Sequence, residues 1–215
     1  MATRAQQADK TRQRIVAQAR TLFAERGFYG VSIAHVAAAL GLSKQGVLHH
    51  FNTKEKLYGS VLGQIAGELV ELKPDMAETE DPLEHLVRYF QAMIADTPEH
   101  VDQYMLLVRE ILDNRLRAET AHKWYLKPFL EDLAAMVSAL PEWRSATKGQ
   151  VLAVVVQLIG AVSYQAVSRP TFRGVFGAEQ ESASQSVFPA QTRTLVLATL
   201  KAGPTDALNY RALTS

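Results

Sequence analysis

A chain of 215 residues, 47% hydrophobic and 21% charged, can bury a substantial core and fits one large domain or a small domain joined to a larger one. It has no cysteine, which excludes disulfides, thiolate metal sites and a cysteine nucleophile. The net charge of +1 is uneven: residues 1–60 carry nine Lys/Arg against three Asp/Glu, a local +6 that leaves −5 for the rest. A basic amino-terminal quarter on a mildly acidic body is the asymmetry expected when one end meets a polyanion.

The first ten residues lack the apolar stretch of a signal peptide. No run reaches the roughly 18 apolar residues of a spanning helix. A cytoplasmic location with no membrane partner is expected.

Helical periodicity dominates, and no convincing strand is visible. Between Asp9 and Arg26, Ile15, Ala19, Leu22 and Phe23 fall on one helical face, and Gly27 follows where a left-handed cap is expected. Ser32 suits the N-cap of a second helix whose apolar residues are Ile33, Val36, Ala37 and Leu40. Gly41 ends that helix, Leu42 plugs the turn, and Ser43 caps a third helix in which Val47 and Phe51 face inward. This helix, turn and helix over about 32–51 is the strongest supersecondary signal in the chain. A fourth helix, 53–73, is capped by Thr53 and carries Leu57, Val61, Ile65 and Leu69.

An acidic linker follows from Asp75 to Asp81. Helical patterns then run from Pro82 to Ala95, from Pro98 to Asn114, and from Arg117 to Leu140 with a kink expected at Pro128. Another begins after Pro141 and reaches about Ser168. It contains the nearly all-apolar stretch 151–162, whose twelve residues are too few to cross a bilayer. Ser168 to Phe188, rich in Gly, Ser and polar residues, is expected to be a long connection, and a last helix runs from about Pro189 to Lys201. The fold class is therefore all-α with about nine helices.

Residues 11–57 resemble the DNA-binding domain of the TetR family of transcriptional regulators. The resemblance is carried by Ile15, Ala19, Leu22-Phe23, Gly27, Ser32, Val36-Ala37, Leu40 to Lys44, His49-His50-Phe51, Lys54-Glu55 and Leu57. It implies a helix-turn-helix domain over 8–57, and a carboxyl-terminal helical domain over 58–215 that binds an effector and dimerises. Two departures matter. Leu48 stands where many members carry a phosphate-contacting Tyr, so its expected role is packing. Gln45-Gly46-Val47 shifts the usual glycine by one position, so base preference does not carry over.

Phosphate contacts position a protein on DNA, and base-edge contacts specify sequence. Ser32 and Ser43 stand at helix N-termini, where orphan N–H groups attract phosphate. Lys44 and Gln45 lie in the first turn of the recognition helix and are the candidate base readers. Gly46 permits close backbone approach, and His49 and Lys54 are candidate phosphate donors. The resemblance puts a contact at His50, although a structural role fits equally. His49 and His50 are not a metal site, because adjacent helical side chains diverge by about 100° and no third ligand has suitable spacing.

In the body, Phe90, Met93, Tyr104, Met105, Trp124 and Tyr125 fit a helical core or an apolar effector cavity, with Arg109, Gln157 and Tyr164 as polar candidates within it. His85, His100 and His122 are scattered and fit surface or satisfied positions. No catalytic triad, metal-ligand spacing or phosphate-cradling loop is present, so neither an enzyme nor a cofactor is expected. The expected partners are double-stranded operator DNA, a second copy of the chain through helices 145–168 and 189–201, and a small-molecule effector. The expected function is a DNA-binding repressor released from a palindromic operator by that effector. A DNA-binding dimer without effector response is the first alternative, and an enzyme built on the helical body the second.

Overall fold

The computed structural model describes residues 3–75, 81–94, 97–113 and 125–206, and every regular element among them is a helix. Helix α1 (Arg4–Gly30) opens with a capping box in which Thr3 Oγ1 accepts from Gln6 N–H and the Gln6 side chain accepts from Thr3 N–H. Gly27 takes the left-handed φ of +69° expected of a cap. The chain nevertheless resumes helix through Gly30, so the glycine is a kink and not a terminus. Helices α2 (Ile33–Ala39), α3 (Lys44–Phe51) and α4 (Lys54–Glu71) follow, with Leu57, Val61, Ile65 and Leu69 buried along α4.

Beyond the acidic segment come α5 (Pro82–Ala92), capped by Asp81, α6 (Pro98–Asp113) and α7 (Lys127–Ser138). Pro128 sits in the first turn of α7, where a missing N–H costs no intrahelical bond, and not at a mid-helix kink. The earlier part of that predicted helix lies outside the described residues. After a 3-10 turn at Pro141–Trp143 come α8 (Lys148–Phe176) and α9 (Ala178–Ala202).

The connection predicted over 168–188 is instead helix on both sides of Gly177, whose φ of +88° makes a one-residue break. Residues 171–180 are all exposed. Glycine, serine and proline are frequent enough over 168–188 to read as a loop, and the apolar residues Phe172, Val175 and Phe176 are exposed. Pro189, expected in a first turn, lies inside α9.

Packing divides the chain into two units: residues 1–71 with 95–128, and 72–94 with 129–215. The predicted boundary after residue 57 would split α4, yet all of α4 belongs to the first unit, and α6 joins it. Directional bonds explain why. Arg109 on α6 donates to the carbonyls of Ala24 (2.9 Å) and Glu25 (3.0 Å) on α1, and Tyr58 on α4 donates to Glu110 on α6 at 2.7 Å. Arg20 on α1 grips both carboxylate oxygens of Glu68 on α4 at 2.9 and 2.7 Å.

In the second unit, α9 packs on α5 and α8. Leu86, Phe90, Leu133, Val155, Leu158, Val196 and Leu200 are buried there. The Trp143 indole donates to the Leu200 carbonyl at 2.8 Å, and Arg193 makes a two-pronged bond to Glu84 at 2.7 and 2.9 Å. His85 corrects an expectation. It is only 1% exposed, and neither ring nitrogen has a hydrogen-bond partner. It lies on the buried face of α5 with Leu86, Tyr89 and Phe90, a position that a lone histidine in the sequence does not announce. His100 does find a partner, in Thr97, and His122 lies outside the described residues.

Candidate nucleic-acid interface

The reading helix is set by two serine caps. Ser32 Oγ accepts from His35 N–H at 3.2 Å while His35 Nδ1 accepts from Ser32 N–H at 3.3 Å, which fixes where α2 begins. Gly41, at φ +65°, turns the chain, and Leu42 N–H closes the loop onto the Ala37 carbonyl at 2.9 Å. Ser43 Oγ then accepts from Gly46 N–H at 3.0 Å and starts α3. A Cβ at Gly46 would stand 3.3 Å from that hydroxyl, so glycine leaves the cap undisturbed.

Val47 and Phe51 form the buried underside of α3. Lys44, Gln45 and His49 are exposed, and Gly46, Leu48 and His50 are half-buried. Of the predicted contact residues, the structure therefore brings Lys44, Gln45 and His49 to one accessible face, with the two serines at its helix starts. Among the described residues no three His, Asp or Glu side chains form a metal cluster.

Lys54, expected to face phosphate, is turned inward. Its Nζ donates to the carbonyls of Phe28 (3.1 Å) and Val31 (3.2 Å) and lies 4.1 Å from the centre of the Phe28 ring. These carbonyls end α1 and need a donor; a lysine stem can reach them from the first turn of α4. The sequence places the ammonium near the motif but cannot say which way it points.

Two grooves flank α3. One, of about 420 Å3, borders its amino end and is lined by Tyr29, Ser32, His35, Lys44 and Lys54 among others. The second, of about 530 Å3, borders its carboxyl end and is lined by Arg12, His50, Phe51, Lys56, Ser60 and Tyr125, with Asn52 and Gly59. Arg12 stacks over the Phe51 ring at 4.5 Å and donates to Ser60 Oγ at 3.4 Å. The His49 and His50 rings meet edge-on at 5.7 Å. Sequence reasoning missed Arg12 and Lys56, and the signal for them was faint. Lys56 has no acidic residue three or four positions away, but Arg12 has Asp9, which accepts from Gln13 instead.

The effector candidates are divided between the two units. Tyr104, Met105, Arg109 and Tyr125 belong to the first unit, and Phe90, Met93, Gln157 and Tyr164 to the second. Phe90, Met93 and Tyr104 are buried, and Met105 is half-buried. Arg109 is taken up by the two α1 carbonyls. Tyr125 is half exposed and its ring covers Gly59 and Gly63 on α4, where a Cβ at Gly59 would run into the phenol. Gln157 and Tyr164 lie on the exposed side of α8, because the buried stripe runs through Val151, Val154, Val155, Leu158 and Val162. Trp124 lies outside the described residues.

A small helix-turn-helix that buries its apolar underside and presents Lys and Gln from the first turn of its second helix defines a DNA-binding head. Comparison with known proteins agrees. Residues 15–61 match the model for bacterial regulatory proteins of the tetR family. The chain is 33% identical over 119 residues to the HTH-type transcriptional repressor NicS of Pseudomonas putida, covering 54% of this chain and 55% of NicS. It is 30% identical over 143 residues to the HTH-type transcriptional repressor AcnR of Corynebacterium efficiens, covering 66% of this chain and 69% of AcnR. A crystal structure from Saccharomonospora viridis in complex with choline shares the fold, with a TM-score of 0.62 at 16% identity over 93% of this chain and all of that one.

The chain belongs to the TetR family. It is a DNA-binding helix-turn-helix transcriptional regulator from a family of regulators, not enzymes. At 29 residues and largely apolar, α8 has the length and composition to cross a bilayer, contrary to the twelve-residue expectation. Its buried stripe packs against α9, however, as the stripe of a core helix does.

Proposed function

We propose that the chain is a cytoplasmic homodimeric repressor that reads a pseudo-palindromic operator and is released from it by a small-molecule effector. The observation that carries the reading is the open face of α3, where Lys44 and Gln45 project beside two capped helix starts. Gln pairs with adenine in two-pronged fashion and Lys reaches guanine acceptors. Ser32, Ser43, the backbone at Gly46 and His49 position the helix on phosphate. Repression is supported by the names of NicS and AcnR.

Dimerisation is supported by an exposed apolar row on α8, with Leu152, Val156 and Tyr164 at successive four- and eight-residue steps, and by Leu195 on α9. A two-fold dimer would set two reading helices about one DNA turn apart. The choline-bound neighbour supports a small-molecule effector for the fold. An effector acts here by binding the DNA-free state more tightly than the DNA-bound state.

Selection of bound DNA from a random pool tests the reading. Gln45→Ala should lose about 1–3 kcal/mol of discrimination at one base pair per half-site, and Lys44→Ala a similar amount at another. Selection of an unchanged sequence by both variants would show that α3 is not the reader.

A further inference from the structure

The groove at the carboxyl end of α3 plays no part in base reading by Lys44 and Gln45. Arg12 and Lys56 are exposed, and among the described residues neither pairs with a carboxylate. Among the described residues no acidic side chain lines the groove. Two unneutralised cations beside His50 make a donor-rich, acceptor-poor pocket, the chemistry that receives an oxyanion; the Ser60 hydroxyl accepts from Arg12 and donates to the Lys56 carbonyl at 3.0 Å, so it holds the pocket together. Arg12 is also held in place, by its stack on Phe51 at 4.5 Å and its bond to Ser60, so little side-chain freedom remains to be lost on binding. Lys56 lies in the first turn of an 18-residue helix, and its N–H is capped by Thr53 Oγ1 at 3.2 Å, so the positive end of the α4 dipole adds to the same field.

We propose that Arg12, Lys56 and His50, with Ser60 holding Arg12 in place, form a second phosphate-binding site that grips the DNA backbone across the major groove from the Ser32 and Lys44 groove. The proposal rests on the DNA-reading function of α3. Geometry favours DNA over a free anion. The eight residues of α3 span about 12 Å, close to the width of about 12 Å of a B-form major groove. A reading helix of that length reaches both phosphate walls, and each of its ends here carries a cation-lined groove. The edge-on His49 and His50 rings join the second groove to the exposed reading face. The site also supplies the backbone anchor that Lys54, turned inward, does not.

The test is operator binding by the full chain across a range of salt concentrations. Because both side chains are exposed, Arg12→Gln with Lys56→Gln should melt within a few degrees of wild type. The log–log salt slope should become shallower by about two, at about 0.9 for each phosphate no longer neutralised. Affinity should fall alike on operator and unrelated DNA, with the selected sequence unchanged, and Arg12→Lys with Lys56→Arg should restore the slope. A wild-type slope with operator preference intact would overturn the proposal while the reading function stands. A changed selected sequence would make these residues base readers and would also overturn it. Inorganic phosphate that binds the free protein at low millimolar concentration, and no longer binds the double variant, would assign the groove to a free anion instead. If the wild-type chain selects no DNA, both readings fall together.

Discussion

In the first unit, long cationic side chains tie helix to helix. Lys54 reaches two carbonyls at the end of α1, Arg109 two more a turn earlier, and Arg20 both oxygens of Glu68. In the second unit, α5, α8 and α9 meet chiefly through apolar stripes, the polar ties such as Arg193 to Glu84 lying at their rims, and His85 is enclosed with neither nitrogen bonded. The contrast matches the work each region does. Directional bonds fix angles, and a reading helix must hold its side chains to within a fraction of an ångström to recognise base edges. Non-directional packing fixes volume more than angle, as would suit the region proposed to answer an effector.

The contrast is tested most severely at Phe90, fully buried in the second unit. If it is packed core, Phe90→Ala should cost about 3–5 kcal/mol in urea unfolding and leave the selected DNA sequence unchanged. A loss below about 1 kcal/mol would make it the wall of a cavity, since little packing would then have been removed. In the first unit, Lys54→Met keeps the stem but removes the ammonium, and should cost about 2 kcal/mol by stranding the carbonyls of Phe28 and Val31. DNA affinity should fall only as far as folding does, and the salt slope should not change. A shallower slope with unchanged stability would return Lys54 to the phosphate.

The smallest effect is expected at His85. Burial, with Lys73 nearby, lowers its pKa below the ordinary 6.5, against weaker opposing attraction from Asp132 and Asp75. The unfolded chain therefore takes up the proton first. This residue's contribution is complete above about pH 6.5 and is lost as pH falls from there toward the lower folded value. His85→Leu should flatten that dependence and raise stability at neutral pH by about 1 kcal/mol, because an apolar side chain there strands no polar atom. Thermal melts from pH 5 to 8 would show it, and identical curves for the two proteins would remove His85 from the balance.

The first four helices are legible in the sequence because their signals are local. Ser32, Ser43, Gly41 and the spacing of Val36, Ala37, Val47 and Phe51 report on neighbours within one or two turns. The course of 168–188 is hidden because its Gly, Ser and Pro content resembles that of a loop, and its few apolar residues, Phe172, Val175 and Phe176, make too short a period to outweigh it. The direction of Lys54 is hidden for a different reason: phosphate and the end of α1 are both electronegative, and only packing decides which one the ammonium meets. The groove at Arg12 and Lys56 joins three helices across more than forty positions of chain. No single-stretch pattern could gather it.

Gly177 bears on the order in which the chain assembles. It is a single residue between helices of 29 and 25 residues, and the side-chain pairs beyond it are nested: Arg169 with Glu181, then Gln165 with Gln185 one turn further out. Each pair brings the next within reach, and the loop-closure entropy at every step is small. The first unit must instead bring Arg109 to carbonyls 84 and 85 positions away before its α6 is seated. The α8–α9 hairpin is thus the low-contact-order part of the molecule and is expected to zip first. The surface proposed to recruit a second copy would then exist before the DNA-reading unit is complete.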